Sequence, residues 1–121
     1  MSNIEDNKII YDYPLDFVLG DDEIATLEID MLSNATTGTT TIYTPASAKL
    51  KIPGQGSKVI GTGKQLRGMT QVTSIFYTIS DLVEEIQIQY KINGQLVVDH
   101  KNLVSEQPRP MIDIKIQFVE S

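Results

Sequence analysis

The chain has 121 residues, 40% of them hydrophobic and 21% charged, with no cysteine and a formal net charge of −6. This length and composition specify one ordinary globular domain, residues 1–121, with a hydrophobic core, and they exclude disulfides, thiolate metal sites and a thiol nucleophile. The start, MSNIEDNKIIYDYPLDF, lacks a basic-then-apolar leader pattern, and no apolar run approaches the roughly 20 residues of a membrane helix, so the expectation is a protein made in a cytoplasm that stays there or leaves by lysis or assembly.

The dominant pattern is period two, the strand period. Residues 8–19 form a first, irregular candidate, closed by the loop LGDDE at 19–23. ATLEIDM then sets Ala25, Leu27, Ile29 and Met31 opposite Thr26, Glu28 and Asp30. SNATTGTT, 33–40, reads as an exposed loop running into a strand at 39–44. AKLKI puts Ala48, Leu50 and Ile52 on one face and Lys49 and Lys51 on the other. The stretch PGQGSKVIGTGKQLRG, 53–68, reads as a tight turn, a short return strand at 58–62 and a loop, with Gly61 and Gly63 marking a bulge or a close backbone approach.

TQVTSIFYTI, 70–79, is rich in β-branched and aromatic residues but favours neither face, the pattern of a strand covered on both sides. SDLVEE offers Asp81 as a cap with Glu84 three residues on, worth one helical turn near 81–85. EIQIQYKI and MIDIKIQF alternate cleanly, with Ile86, Ile88, Tyr90 and Ile92, and Ile112, Ile114, Ile116 and Phe118, facing inward. Between them lie Asn93-Gly94 and the loop SEQPRP. A three-residue loop, Ile92 to Gly94, would pair Tyr90 with Leu96 and Ile88 with Val98, and so predicts a type I turn with a G1 bulge. The whole predicts an all-β protein: an antiparallel Ig-like or Greek-key β-sandwich of seven or eight strands.

Charge is unevenly distributed. Residues 1–30 carry nine acids and one base, residues 31–80 no acid and five bases, and residues 81–121 seven acids and four bases. The simplest expectation is that acidic strands lie beside basic ones and cancel. The alternative makes Lys49, Lys51, Lys58, Lys64 and Arg67 a partner-docking or anion-binding face. An acidic total and the lack of interleaved aromatics argue against nucleic acid.

No chemical motif completes itself. Gly63-Lys64 is the one Gly-Lys step, but Lys58 stands where a phosphate loop needs glycine and Gln65 where it needs Ser or Thr; both G-x-G pairs lack their third glycine. His100 is the sole histidine, too few for a zinc site, and reads as a partly exposed strand-end residue. Asp16, Asp21, Asp22 and Glu23 lack EF-hand spacing. No serine sits in a nucleophile elbow. There is no Trp, and the five Tyr are dispersed, which weakens a sugar platform. The expectation is a non-enzyme without metal or cofactor.

The stretches DFVLGDDEIATLEIDM (16–31), ASAKLKIPGQGSKVIGTG (46–63) and YTISDLVEEIQIQYKINGQL (77–96) together resemble the N-terminal module of upper-baseplate and tail-fibre proteins of phages of Gram-positive bacteria. LVEEIQ departs from that family's Gly-x-Tyr entry to its late strand, and family members continue into a trimerising, receptor-binding part. The resemblance implies a virion component that docks on a tail or baseplate core, and it carries over no catalytic residue. The expected function is therefore a structural or adaptor β-sandwich of a larger assembly, homo-oligomeric, bound to other protein subunits and not to membrane or nucleic acid. The alternative is a soluble module for glycans or small anions using the basic 49–67 face.

Overall fold

Period two becomes nine strands in the structure, a computed structural model that describes residues 10–46 and 49–120. They are β1 Ile10–Val18, β2 Ile24–Met31, β3 Thr36–Tyr43, β4 Lys49–Pro53, β5 Gly56–Thr62, β6 Gly68–Thr78, β7 Glu85–Ile92, β8 Gln95–Leu103 and β9 Met111–Val119. A five-stranded sheet runs β1-β9-β6-β3-β4 and a four-stranded sheet runs β5-β2-β7-β8. Only β3–β4 and β7–β8 are hairpins within a sheet; the other six connections cross between sheets. One pair departs from the antiparallel expectation: β1 lies parallel to β9.

The inner faces interlock as a sandwich. Leu27, Ile29, Ile88 and Tyr90 from one sheet meet Ile42, Val72, Phe76, Ile114 and Phe118 from the other, all at most 1% exposed. Two polar groups join this core from β3 and β6. Tyr90 OH donates to Ser74 Oγ at 2.9 Å, and Ser74 shares a 2.8 Å hydrogen bond with Thr40. Buried hydroxyls so paired avoid the cost of burying them unpartnered.

Several sequence expectations change. The strand count is nine, because β8, already implied as the hairpin partner of β7, adds to the eight other candidate stretches; its inward His100 and Asn102 weaken its own alternation. The Thr-rich run is not a loop: β3 begins at Thr36. Its glycine is needed there, because a Cβ on Gly38 would overlap the Ile75 carbonyl and sit 2.8 Å from Phe76 Cα. The segment 81–85 holds no helix. Ser80 Oγ accepts from Leu82 N–H instead, and β7 starts at Glu85, too soon for a helical turn to develop. β5 does not return along β4; it crosses to pair with β2, with a bulge opposite Ala25/Thr26. Gly63 is a close approach as expected, packed on the Leu19–Gly20 backbone. Ala48 lies outside the described residues.

The Asn93-Gly94 turn also differs. Both residues have positive φ, 52° and 82°, and Ile92 pairs with Gln95, so this is a two-residue type I′ turn. A register shift after Lys91↔Leu96 leaves Val97 bulged, and Tyr90 then pairs with Val98 and Ile88 with His100. The bulge, not the turn, restores the inward parity. The turn is held by Asn93, whose Oδ1 accepts from Thr26 N–H and whose N–H donates to Thr26 O.

Gly38→Ala is expected to lower stability by about 1–3 kcal/mol through overpacking, read as a reduced urea midpoint with unchanged β-type circular dichroism.

Candidate docking surface

Three groups of residues could carry function: the polar cluster around His100, the bases of the acid-free segment, and the outer face of the five-stranded sheet.

His100 is fully buried in the middle of β8, not partly exposed at its end. β1 and β8 are edge strands of opposite sheets, and His100 fills the seam between them. Tyr13 OH lies 2.7 Å from His100 Nδ1, and His100 Nε2 lies 2.7 Å from Asn102 Oδ1. Asn102 Nδ2 donates to Leu103 O and Gln107 O, both at 2.9 Å. Its Oδ1 is therefore an acceptor, which places the imidazole proton on Nε2 and leaves Nδ1 to accept from Tyr13. The Tyr11 ring adds an edge contact at 4.5 Å. Tyr13–His100–Asn102 has the order of a nucleophile, base and orienter. Its electrostatics oppose that chemistry. Burial lowers the His100 pKa against the raising effects of Asn102 and Asp99, and burial raises that of Tyr13. Both shifts hold the proton on the phenol, as a neutral structural cluster requires.

The five bases do not form one face. Lys49 and Lys51 project from the outer face of β4, the edge of the five-stranded sheet. Lys58 lies on β5, the edge of the other sheet, and Lys64 lies in the loop beyond it. Arg67 is committed inside the chain. Its Nη2 donates to Leu19 O at 2.6 Å and to Asp21 Oδ1 at 2.7 Å, and Nη1 reaches Phe118 O at 3.4 Å. Among the described residues, Arg67 is the one base of segment 31–80 with a carboxylate within 4.0 Å. The expected cancellation is thus partial: acidic β2 does lie beside β5 and Asp21 holds Arg67, but Asp30 is paired at 3.2 Å with Lys91 from outside the basic segment, and β1 and β4 stand at opposite edges of their sheet. The loop acids are separated too. Asp16 points outward on β1, Asp21 holds Arg67, and Glu23 Oε1 accepts from Gly20 N–H at 2.6 Å. Among the described residues no group of three or more His, Asp or Glu could hold a metal ion.

The outer face of the five-stranded sheet was legible in the sequence only through Lys49 and Lys51 at its β4 edge. Its middle strand, β6, was expected to be covered on both sides. Inward, Thr70, Val72, Ser74 and Phe76 are buried; outward, Ile75 and Tyr77 are 42% and 36% exposed. Register places Met111 beside Ile75 and Ile10 beside Met111, and Arg109 stacks on Tyr77 with its guanidinium carbon 4.8 Å from the ring centroid. A groove of about 290 Å³ runs between Thr37, Thr39, Ile75 and Tyr77. Beside it, Asp113 is only 9% exposed. Burial raises its pKa, but hydrogen bonds from Gln71, Lys115 and Thr73 and the Lys115 charge outweigh that and leave it below the usual carboxylate value. Tyr, Met, Ile and Arg around an apolar centre are the residues of protein interfaces. The signal in the sequence was β6 itself, apolar on both faces.

Neither a family model, nor a curated protein, nor a solved structure matches the chain.

His100 also makes stability depend on pH. Its folded pKa lies below the ordinary 6.5, so the unfolded chain binds the proton more readily. The His100 contribution is complete above about pH 6.5 and is lost as pH falls below it. Urea midpoints measured from pH 7 to pH 5 should fall for the native chain, and the slope should flatten in His100→Gln.

Proposed function

We propose that this chain is a non-enzymatic structural or adaptor protein of a larger assembly, docking through the outer face of its five-stranded sheet. The observation that carries the reading is the apolar strip Ile10–Met111–Ile75–Tyr77, which runs from the β1 edge to the middle strand near one end of a sheet whose two edges carry charges of opposite sign; Ile10, Ile75 and Tyr77 in it are exposed. Patches of this kind, rimmed by polar residues, mark interaction sites. The resemblance of the sequence to phage baseplate and tail-fibre modules favours a virion as the setting, with tail, baseplate or fibre subunits as partners. The six sheet-crossing connections support reading the sandwich as Ig-like, of Greek-key type, a framework suited to presenting a rigid face.

The alternative, a module binding glycans or small anions through the 49–67 bases, has weaker support. Lys49 and Lys51 belong to one sheet and Lys58 to the other, and Arg67 is already bonded to Leu19 and Asp21. The two readings separate in a thermal-shift screen against inorganic phosphate, sulfate and an oligosaccharide panel. Docking predicts no saturable shift. A saturable shift that Lys58→Ala plus Lys64→Ala removes would transfer the function to ligand binding.

A further inference from the structure

The docking face has a symmetry that names its partner. Strand register sorts the outward residues of the five-stranded sheet into rows that run from β1 to β4. One row is Ile10, Met111, Ile75, Thr39, Pro53; the next is Asp12, Asp113, Thr73, Thr41, Lys51. The third carries Lys115 on β9 and Lys49 on β4. The outward charges are therefore divided about β6. On the β1–β9 side stand Asp12, Asp16, Asp113 and Lys115, three carboxylates and one ammonium; on the β3–β4 side stand Lys49 and Lys51. These strand charges sum to −2 and +2, with Lys115 shared between Asp12 at 3.5 Å and Asp113 at 3.2 Å; no charged side chain projects outward from β6 or β3, though Arg109, from the loop before β9, lays its guanidinium over the Tyr77 ring.

This arrangement is self-complementary under one operation. A two-fold axis parallel to β6 places a second copy face to face with the first and exchanges left for right along each row. β6 then lies over β6, β1 over the partner β4, and β4 over the partner β1. Ile75 and Tyr77, the latter with Arg109 on its ring, meet their own counterparts on the axis toward one end of β6, Ile10 faces Pro53, and Asp12 faces Lys51 on both sides of the axis. The other face-to-face two-fold, perpendicular to the strands, sets β1 on β1 and β4 on β4. It opposes like charges at both edges, which is strongly unfavourable. The charge pattern thus rejects one dimer and favours the other.

The area is adequate. Five strands about 4.8 Å apart and eight residues of about 3.3 Å span roughly 24 by 26 Å. Two such faces in full overlap would remove about 1,200 Å² from solvent, the lower end of the range for specific interfaces. Two sheets packed face to face, about 10 Å apart, would also cover the outward side of β6 in the way its sequence calls for. A second copy joined by strand addition is disfavoured, because Pro14 interrupts β1 and Lys49, Lys51 and Pro53 guard β4.

Resting on the docking reading above, we infer that the partner on this face is a second copy of the chain, held in a two-fold dimer whose axis runs along β6. The test is sedimentation equilibrium over a concentration series on the full chain and four variants. The native chain should approach twice 13.5 kDa, with association weakened about tenfold or more in ~0.5 M salt, where screening shortens the reach of the edge charges. Ile75→Asp should remain monomeric. Asp12→Lys alone and Lys51→Asp alone should each weaken the dimer about tenfold, and the double substitution in one chain should restore it, because the exchanged pair is again complementary. Both edge positions are exposed, so the charge variants fold even if Ile75→Asp does not. A native chain that stays monomeric, or a dimer in which the double charge variant is no stronger than the singles, overturns the inference. Either result leaves the ligand screen to decide the broader docking reading.

Discussion

A strand in the middle of a sheet has two faces, and β6 carries large apolar residues on both. This one fact organises the molecule. Inward, Val72 and Phe76 are fully buried in the core, and Ser74 joins Tyr90 of β7 and Thr40 in the buried hydroxyl chain. Outward, Ile75 and Tyr77 are 42% and 36% exposed on a face that the other described residues leave largely open, with Arg109 stacked on Tyr77. Burial of such residues is worth roughly 25 cal/mol for each Å² removed from water. The fold collects that gain on one side of β6 and leaves it available for association on the other.

Topology decides where the charges sit around this strand. The acid-free segment becomes β3, β4, β5 and β6, which puts Lys49 and Lys51 on an edge strand of the five-stranded sheet and Lys58 on an edge strand of the other. Of the acidic segment, β1 carries Asp12 and Asp16 and is placed at the far edge by its parallel pairing with β9, while β2 carries Glu28 and Asp30 beside β5. Were β1 beside β4, Asp12 and Lys51 would neutralise one another within the sheet. Because β9, β6 and β3 intervene, the polarity of the sequence survives as a polarity of the surface. Arg67 is the exception: it bridges the segments by holding Asp21 and two backbone carbonyls, and it serves the fold and not the surface.

Much of the fold was legible because alternation is a local signal. β2, β7 and β9 carry clean patterns, and the structure places their apolar residues inward. What the sequence hid was non-local. The type I′ turn at Asn93-Gly94 was misread because the parity of β8 is restored by a bulge at Val97, away from the turn. His100 was misplaced because a histidine reads as polar until Tyr13 and Asn102, which satisfy both of its nitrogens, are brought to it by tertiary structure. The Thr-rich strand passed for a loop because its only inward apolar side chain is Ile42. The docking face was half visible, since Lys49 and Lys51 could be singled out by charge, but Lys58, Lys64 and Arg67 belonged with them only in sequence.

The absence of cysteine allows the face to be probed one position at a time. The most direct measurement is cross-linking of single-cysteine variants with a bismaleimide about 10 Å long, the spacing of packed sheets. Thr73→Cys sits on the outward side of β6, beside the proposed axis; Lys101→Cys sits on β8 in the opposite sheet. The account predicts efficient dimer formation through position 73 and none above background through position 101. Linkage through 101 in preference to 73 would contradict it.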